Sequence, residues 1–315
     1  MNIQAAQSKI KLVQTNIEKV MVGKGKEIEL ALVCMAADGH VLIEDVPGTG
    51  KTTVAKALAA SISGTFKRIQ FTPDLLPGDL TGINVYNPKT GDFTFRRGGL
   101  FTNILLADEI NRATPRTQAG LLECMEEHQI SIDGETYPLE PPYFVLATQN
   151  PVETQGTFPL PEAQLDRFMM QIKIGYTNTK QEADVILRFL DNSPLLDLPS
   201  VVSTAEWAEV QNTVRKVTVH KDLCEYIAAL AAYTRQEHNV AIGVSPRASL
   251  ALAKASQAYA VAQGRDFVTP EDVKYLAPFV LAHRLTMKNV AASGNKQQVI
   301  NKALSEVPVP TEENM

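Results

Sequence analysis

The run Pro47-Gly48-Thr49-Gly50-Lys51-Thr52 constrains this chain more than any other feature, because of what flanks it. The apolar segment HVLIED (40–45) precedes it and the helix-forming segment TTVAKALAASI follows, so the order is strand, glycine-rich loop, helix. That context makes the run a phosphate loop. Gly48 and Gly50 let backbone N–H groups close around phosphate oxygens, and the following helix points its positive end at the same place. Lys51 would bridge the β- and γ-phosphates and the Thr52 hydroxyl would ligate Mg²⁺. One position departs from the general GxxxxGK(S/T) pattern: Asp45 stands where the first glycine would fall, which puts a carboxylate near an anionic site.

Further apolar runs recur at FKRIQF (66–71), NILLAD (103–108), YFVLAT (143–148) and MMQIKI (169–174), separated by longer helical patterns. With the first run they predict an α/β fold, a five-stranded, mostly parallel sheet with crossover helices. After Tyr176 the composition turns Ala-rich and helical, with Ser245-Pro246 and Thr269-Pro270-Glu271 placing a hydroxyl before a first-turn proline. The expected organisation is an α/β domain over 1–176, a smaller all-helical domain over 177–307, and a frayed tail over 308–315. Segments 84–98 and 130–139 read as hairpins, with turns at Thr90-Gly91-Asp92 and Asp133-Gly134.

The third run ends in Asp108-Glu109, two carboxylates at the C-terminal end of a buried strand, where open α/β sheets bind ligands. Asp108 would hold Mg²⁺ through water and Glu109 would polarise the attacking water. Asn150, just beyond the fourth run, comes to the same edge to orient that water or touch the γ-phosphate. Arg167, before the last run, sits too far along the sheet to reach its own chain's phosphates, so it would serve a neighbouring subunit. Arg247 opens a helix of the second unit and would fold onto the γ-phosphate, coupling nucleotide state to that unit.

Those residues, with LLADEINRATPRTQAGLLECMEE and TQNPVETQGTFPLPEAQLDRF, resemble the AAA+ ATPases and within them the MoxR group of the chelatase-like clade. The resemblance spans nearly the whole chain, from Val22-Gly23 to Arg247. It implies a nucleotide-binding set of Val22, Gly23, Pro47, Gly48, Thr49, Gly50, Lys51, Thr52 and Thr53, with metal held by Thr52 and Asp108. It also implies that Glu109, Asn150, Arg167 and Arg247 are the catalytic set, as Walker B glutamate, sensor 1, arginine finger and sensor 2. By resemblance, the cofactors are ATP/ADP and Mg²⁺, the assembly is a hexameric ring, and the partner is a protein, bearing in some cases a von Willebrand factor A domain. Chaperone-like work in maturing other proteins or inserting their cofactor or metal follows from the same likeness.

The remaining features exclude other classes. A net charge of −5 leaves no global basic surface for nucleic acid, and no stretch approaches the apolar length of a membrane span. Cys34, Cys124 and Cys224 are far apart and read as small core residues in a reducing cytoplasm. A nucleotide-gated scaffold with negligible hydrolysis stays open as an alternative. A GTPase is disfavoured because no guanine-reading Asn-Lys-x-Asp run follows the sheet, and a monomeric kinase gives Arg167 no task.

Overall fold

A computed structural model of the chain describes residues 1–46, 48–89, 91–150, 156–191, 194–288 and 296–310. Helices α1 (Ile3–Glu18) and α2 (Gly25–Ala36) lead into strand β1 (Val41–Glu44), helix α3 (Lys51–Ser61) and strand β2 (Phe66–Gln70). Helix α4 (Pro77–Thr81) precedes a hairpin of β3 (Gly82–Asn87) and β4 (Asp92–Arg97). Strand β5 (Ile104–Asp108), helix α5 (Pro115–Glu127), a second hairpin of β6 (Gln129–Ile132) and β7 (Glu135–Pro138), strand β8 (Phe144–Gln149), helix α6 (Glu162–Leu165) and strand β9 (Met170–Ile172) follow. Beyond them lie α7 (Thr179–Asp191), α8 (Thr204–Val214), α9 (Lys221–Gln236), β10 (Val240–Ile242), α10 (Pro246–Ala262), α11 (Pro270–Leu281), β11 (Thr286–Met287) and α12 (Lys296–Glu306).

Five strands form one sheet in the order β2-β5-β8-β1-β9, every pair parallel. The central three are buried up to their last residue because their runs are apolar on both faces, as a doubly covered sheet demands. Strand alternation divides them: Val41, Ile43, Ile104, Leu106, Phe144 and Leu146 enter one apolar cluster, while Leu42, Leu105, Ala107, Val145 and Ala147 enter the other. Helices α1 to α3 cover the first face, and Leu121, Leu122 and Met125 of α5 cover the second. Strand β2 is a sheet edge, which is why FKRIQ mixes polar with apolar residues.

The first cluster continues without a break into the later helices, through Trp207 of α8, Leu252 of α10 and Leu276 of α11. Helix α1 packs on α8 and α10 as well as on α3, so the N-terminal helix fastens the helical region to the sheet. Ser245 caps α10 by accepting from the Ala248 N–H, and Asp272 of α11 accepts from the Thr269 N–H, as the Ser-Pro and Thr-Pro signals require.

Several details differ from the sequence reading. The helical region also carries a short antiparallel pair, β10 with β11, whose three and two residues are too few for an alternation pattern to register. Cys34 and Cys124 are buried, but Cys224 is exposed, since the buried stripe of α9 runs through Leu223, Tyr226, Ile227 and Leu230 and bypasses it. In the expected tail, Val309 packs against the core, while 311–315 lie outside the described residues. Both hairpins are present, and Phe95 of the first stacks on Tyr137 of the second with ring centres 4.4 Å apart. Thr90 of the first turn lies outside the described residues.

Candidate active site

The C-terminal ends of β2, β5 and β8 and the loop after β1 open onto a cavity of about 410 Å³ lined by Gly48, Gly50, Lys51, Thr52, Thr53, Arg68, Gln70, Asp108, Glu109, Thr148 and Asn150. The phosphate loop supplies one wall. Gly50 caps α3 at φ 89°, in the left-handed region where a side chain is strained, and its carbonyl takes the first helical bond from Val54 N–H. Lys51 Nζ donates to the carbonyls of Asp45 and Val46 at 3.0 and 3.1 Å, so its ammonium stays over the loop. Pro47 lies outside the described residues.

Asp45 explains its own departure from the glycine pattern. Its carboxylate is occupied at the base of the loop: one oxygen accepts from Gly175 N–H at 2.7 Å and the other from Val46 N–H at 2.8 Å. The residue therefore ties the start of the loop to the segment that leaves β9. Lys24, 5% exposed, clamps the same segment by donating to the carbonyls of Ile174, Gly175 and Tyr176 at 2.6 to 3.0 Å.

The opposite wall is acidic and fully engaged. Thr148 Oγ1 donates to Asp108 Oδ1 at 2.6 Å and accepts the Glu109 N–H at 2.8 Å, so one buried hydroxyl on β8 fixes both acidic residues of β5. Glu109 sits at φ 56°, ψ 51°, a left-handed conformation uncommon for a glutamate, which turns its carboxylate off the strand into the cavity. There Glu109 Oε2 accepts from Gln70 Nε2 at 2.8 Å and from Arg112 at 2.9 Å. Arg68 pairs with Asp108 Oδ2 at 2.7 Å. Asn150 is buried at the same edge. Arg68, Gln70 and Thr148 were not anticipated. The only sequence signal for the first two is a pair of polar residues, two apart, on the strand beside β5, and for Thr148 a hydroxyl closing an apolar run.

A second cavity of about 420 Å³ shares Gly48, Gly50 and Thr53 with the first. Its wall is largely apolar, with Val20, Met21, Val22, Tyr176, Val185 and Phe189, and Thr49 lines it too. The joined space is polar at one end and apolar at the other, matching a triphosphate and a base. Gly23 lines neither cavity; its φ of 70° turns the chain there, and a Cβ would lie 2.2 Å from the Gln181 amide. The oxygen donors Thr52 and Asp108 fit a hard divalent cation.

Arg167 and Arg247 line neither cavity among the described residues; the structure brings them to each other instead. Arg167 Nε lies 3.2 Å from Glu126 Oε2, and Arg247 Nη2 lies 2.9 Å from Glu126 Oε1. Arg247, expected to fold onto the γ-phosphate, is held on Glu126 at the start of α10. Asp166, next to Arg167, pairs with Arg284 at 2.5 Å through one oxygen and accepts from the α10 cap Ser245 at 2.8 Å through the other. Arg284, almost wholly buried, also donates to the carbonyls of Asp166, Phe168, Met169 and Val280. Burial pushes the Arg284 pKa down, and the Asp166 carboxylate opposes that shift.

Comparisons with known proteins agree with this architecture. Residues 40–170 match the profile of the ATPase family associated with various cellular activities (AAA), and 232–303 match the AAA lid domain. The chain is 39% identical to Chaperone MoxR1 of Mycobacterium tuberculosis, over 93% of this chain and 80% of that one. It is 48% identical to the uncharacterized protein YeaC of Bacillus subtilis, over 94% of this chain and 93% of the relative. A crystal structure from Cytophaga hutchinsonii, of a candidate ATPase, superposes with a TM-score of 0.91 at 39% identity, covering 98% of this chain and 97% of that one. Helical lid, parallel sheet and phosphate loop thus come together in one protein, and the chain belongs to the MoxR family of AAA+ ATPases.

Proposed function

We propose that this protein is a Mg²⁺-dependent ATPase whose ring, a hexamer in cytoplasm, couples hydrolysis to remodelling or maturing a partner protein, with residues 1–176 as the nucleotide unit and 177–307 as the lid. The observation that carries the reading is a division of the catalytic set. Lys51, Thr52, Asp108, Glu109 and Asn150 line one cavity, while Arg167 and Arg247 gather outside it on Glu126. Two arginines held outside their own chain's cavity suit the cavity of an adjacent copy.

In that arrangement the Gly48, Thr49 and Gly50 N–H groups and Lys51 hold the β- and γ-phosphates, and Val22 and its apolar neighbours take the base. Thr52 and Asp108 would hold Mg²⁺, which offsets phosphate charge. Glu109 accepts hydrogen bonding from the attacking water, and Asn150 orients it. Gln70 and Arg112 hold the Glu109 carboxylate, so it must exchange those partners for water as it engages. Arg167 and Arg247 of the next copy then stabilise charge on the γ-phosphoryl oxygens.

The likeness to Chaperone MoxR1 supports chaperone-type work on a protein partner; cofactor or metal insertion and a partner with a von Willebrand factor A domain are part of the proposal. The test is subunit mixing. Arg167→Ala and Glu109→Gln chains are each expected to be inactive, and rings mixed from both regain part of the turnover, because some interfaces pair an intact Glu109 with an intact Arg167. No recovery in rings verified as mixed would overturn the shared-site reading.

A further inference from the structure

Two half-exposed arginines from distant parts of the chain share one carboxylate. Glu126 gives one oxygen to each, and the three side chains are 36%, 29% and 44% exposed for Glu126, Arg167 and Arg247. Behind them the framework is rigid: the buried Arg284–Asp166 pair fixes the backbone next to Arg167, and Asp166 also bonds Ser245, the cap of the helix that carries Arg247. We propose that Glu126 is the resident intramolecular occupant of the two guanidiniums, Arg167 and Arg247, that the shared-site reading offers to the nucleotide of a second copy, and that it is displaced when that polyphosphate arrives. The inference deepens the shared-site reading and rests on it.

Three observations favour an occupant over a permanent strut. First, a carboxylate that offers one oxygen to each of two guanidiniums presents them with the anion geometry of a phosphate edge. Second, Glu126 lies in the last turn of α5 beside Glu127, where the helix end is already negative and no basic residue offsets it, so helix stability does not explain the charge. Third, solvent reaches all three side chains, so each pair is weak and readily exchanged, unlike the buried Arg284–Asp166 pair behind them. The balance of charge agrees. Among the described residues, three guanidiniums, Arg167, Arg247 and Arg284, pair with two carboxylates, Glu126 and Asp166, and displacing Glu126 leaves a cationic excess for an incoming polyanion.

On this account Glu126 competes with the neighbour's nucleotide and raises the protein concentration needed for assembly-dependent turnover. Turnover per subunit is measured against protein concentration with saturating ATP and Mg²⁺, for wild type, Glu126→Gln, Glu126→Asp and Arg167→Ala. Removing two half-exposed ion pairs is expected to move the half-maximal concentration of Glu126→Gln down by about 2- to 30-fold. Glu126→Asp, charged but too short to span both arginines, falls between. The same shift is read as mass, by light scattering with ATP, in a Glu109→Gln background. A midpoint for Glu126→Gln equal to or above that of wild type overturns the proposal, since a merely structural Glu126 would weaken the interface when lost. If Arg167→Ala leaves turnover at the wild-type level, the shared-site reading itself fails, whatever Glu126 does.

Discussion

Replacing Thr148 by valine keeps the shape of a fully buried side chain and removes one hydroxyl that serves two acidic residues. The hydroxyl gives Asp108 a 2.6 Å bond and receives the Glu109 N–H at 2.8 Å. Losing a hydrogen bond to a charged group costs about 1.5–3 kcal/mol, and an orphaned buried N–H costs about 1–3 kcal/mol. Asp108 keeps its Arg68 partner, which offsets part of the loss, so about 2–4 kcal/mol of destabilisation is expected. The second effect is kinetic. Glu109 holds a left-handed backbone conformation that costs about 1–2 kcal/mol, and the Thr148 bond is what restrains it. Freed from that bond, the catalytic carboxylate moves, and a displacement near 1 Å reduces turnover by about 10²-fold. Urea unfolding followed by circular dichroism and phosphate release from ATP read the two effects separately, with Thr148→Ser retaining both. A valine variant within about 0.5 kcal/mol of wild type and at full turnover would refute the role given to Thr148.

Other outcomes follow from the same geometry. Lys51→Ala is expected to abolish ATP binding, measured by calorimetry, and normal affinity would remove Lys51 from the phosphate site. Glu109→Gln should retain ATP and lose turnover; unchanged turnover would assign the water to another group. Arg284→Met leaves the largely buried Asp166 carboxylate with Ser245 but without its ion partner and should destabilise the fold by about 3–5 kcal/mol in urea titrations. His40 accepts the Val145 N–H at Nδ1 and meets the Met125 carbonyl at Nε2, so it is held neutral, with its pKa pushed down to about 4 chiefly by burial. The unfolded chain then binds more protons below about pH 6.5, so the contribution of His40 is complete above that pH and is lost towards pH 4, on the order of 3 kcal/mol. His40→Gln should flatten the fall in urea midpoint between pH 6.5 and 4, and an unchanged slope would contradict the assignment.

Much of the fold was legible because the central strands are buried on both faces and so read as unbroken apolar runs. The phosphate loop and Asp108-Glu109 were legible for a related reason: a strand that ends abruptly in glycines or carboxylates marks its own C-terminal edge. What stayed hidden depends on neighbours far apart in sequence. Arg68 and Gln70 look like ordinary polar residues of an edge strand until β2 is laid beside β5. Glu126 looks like one more surface glutamate on α5, and only the fold brings Arg167 and Arg247 to it. Asp45 reads as a departure that bears on the geometry of the phosphate loop, since sequence cannot reveal that Gly175 N–H and Val46 N–H occupy its carboxylate. Cys224 was assigned to the core from its apolar helical surroundings, whereas the phase of α9 leaves it exposed.

The most direct test of the central claim is ATP turnover per subunit across a range of protein concentrations, for wild type and Arg167→Ala, with mass followed by light scattering. A shared active site predicts turnover that rises as subunits assemble and collapses in the variant even when its mass is unchanged. Turnover per subunit that stays constant from monomer to assembly, with Arg167→Ala equal to wild type, would contradict it.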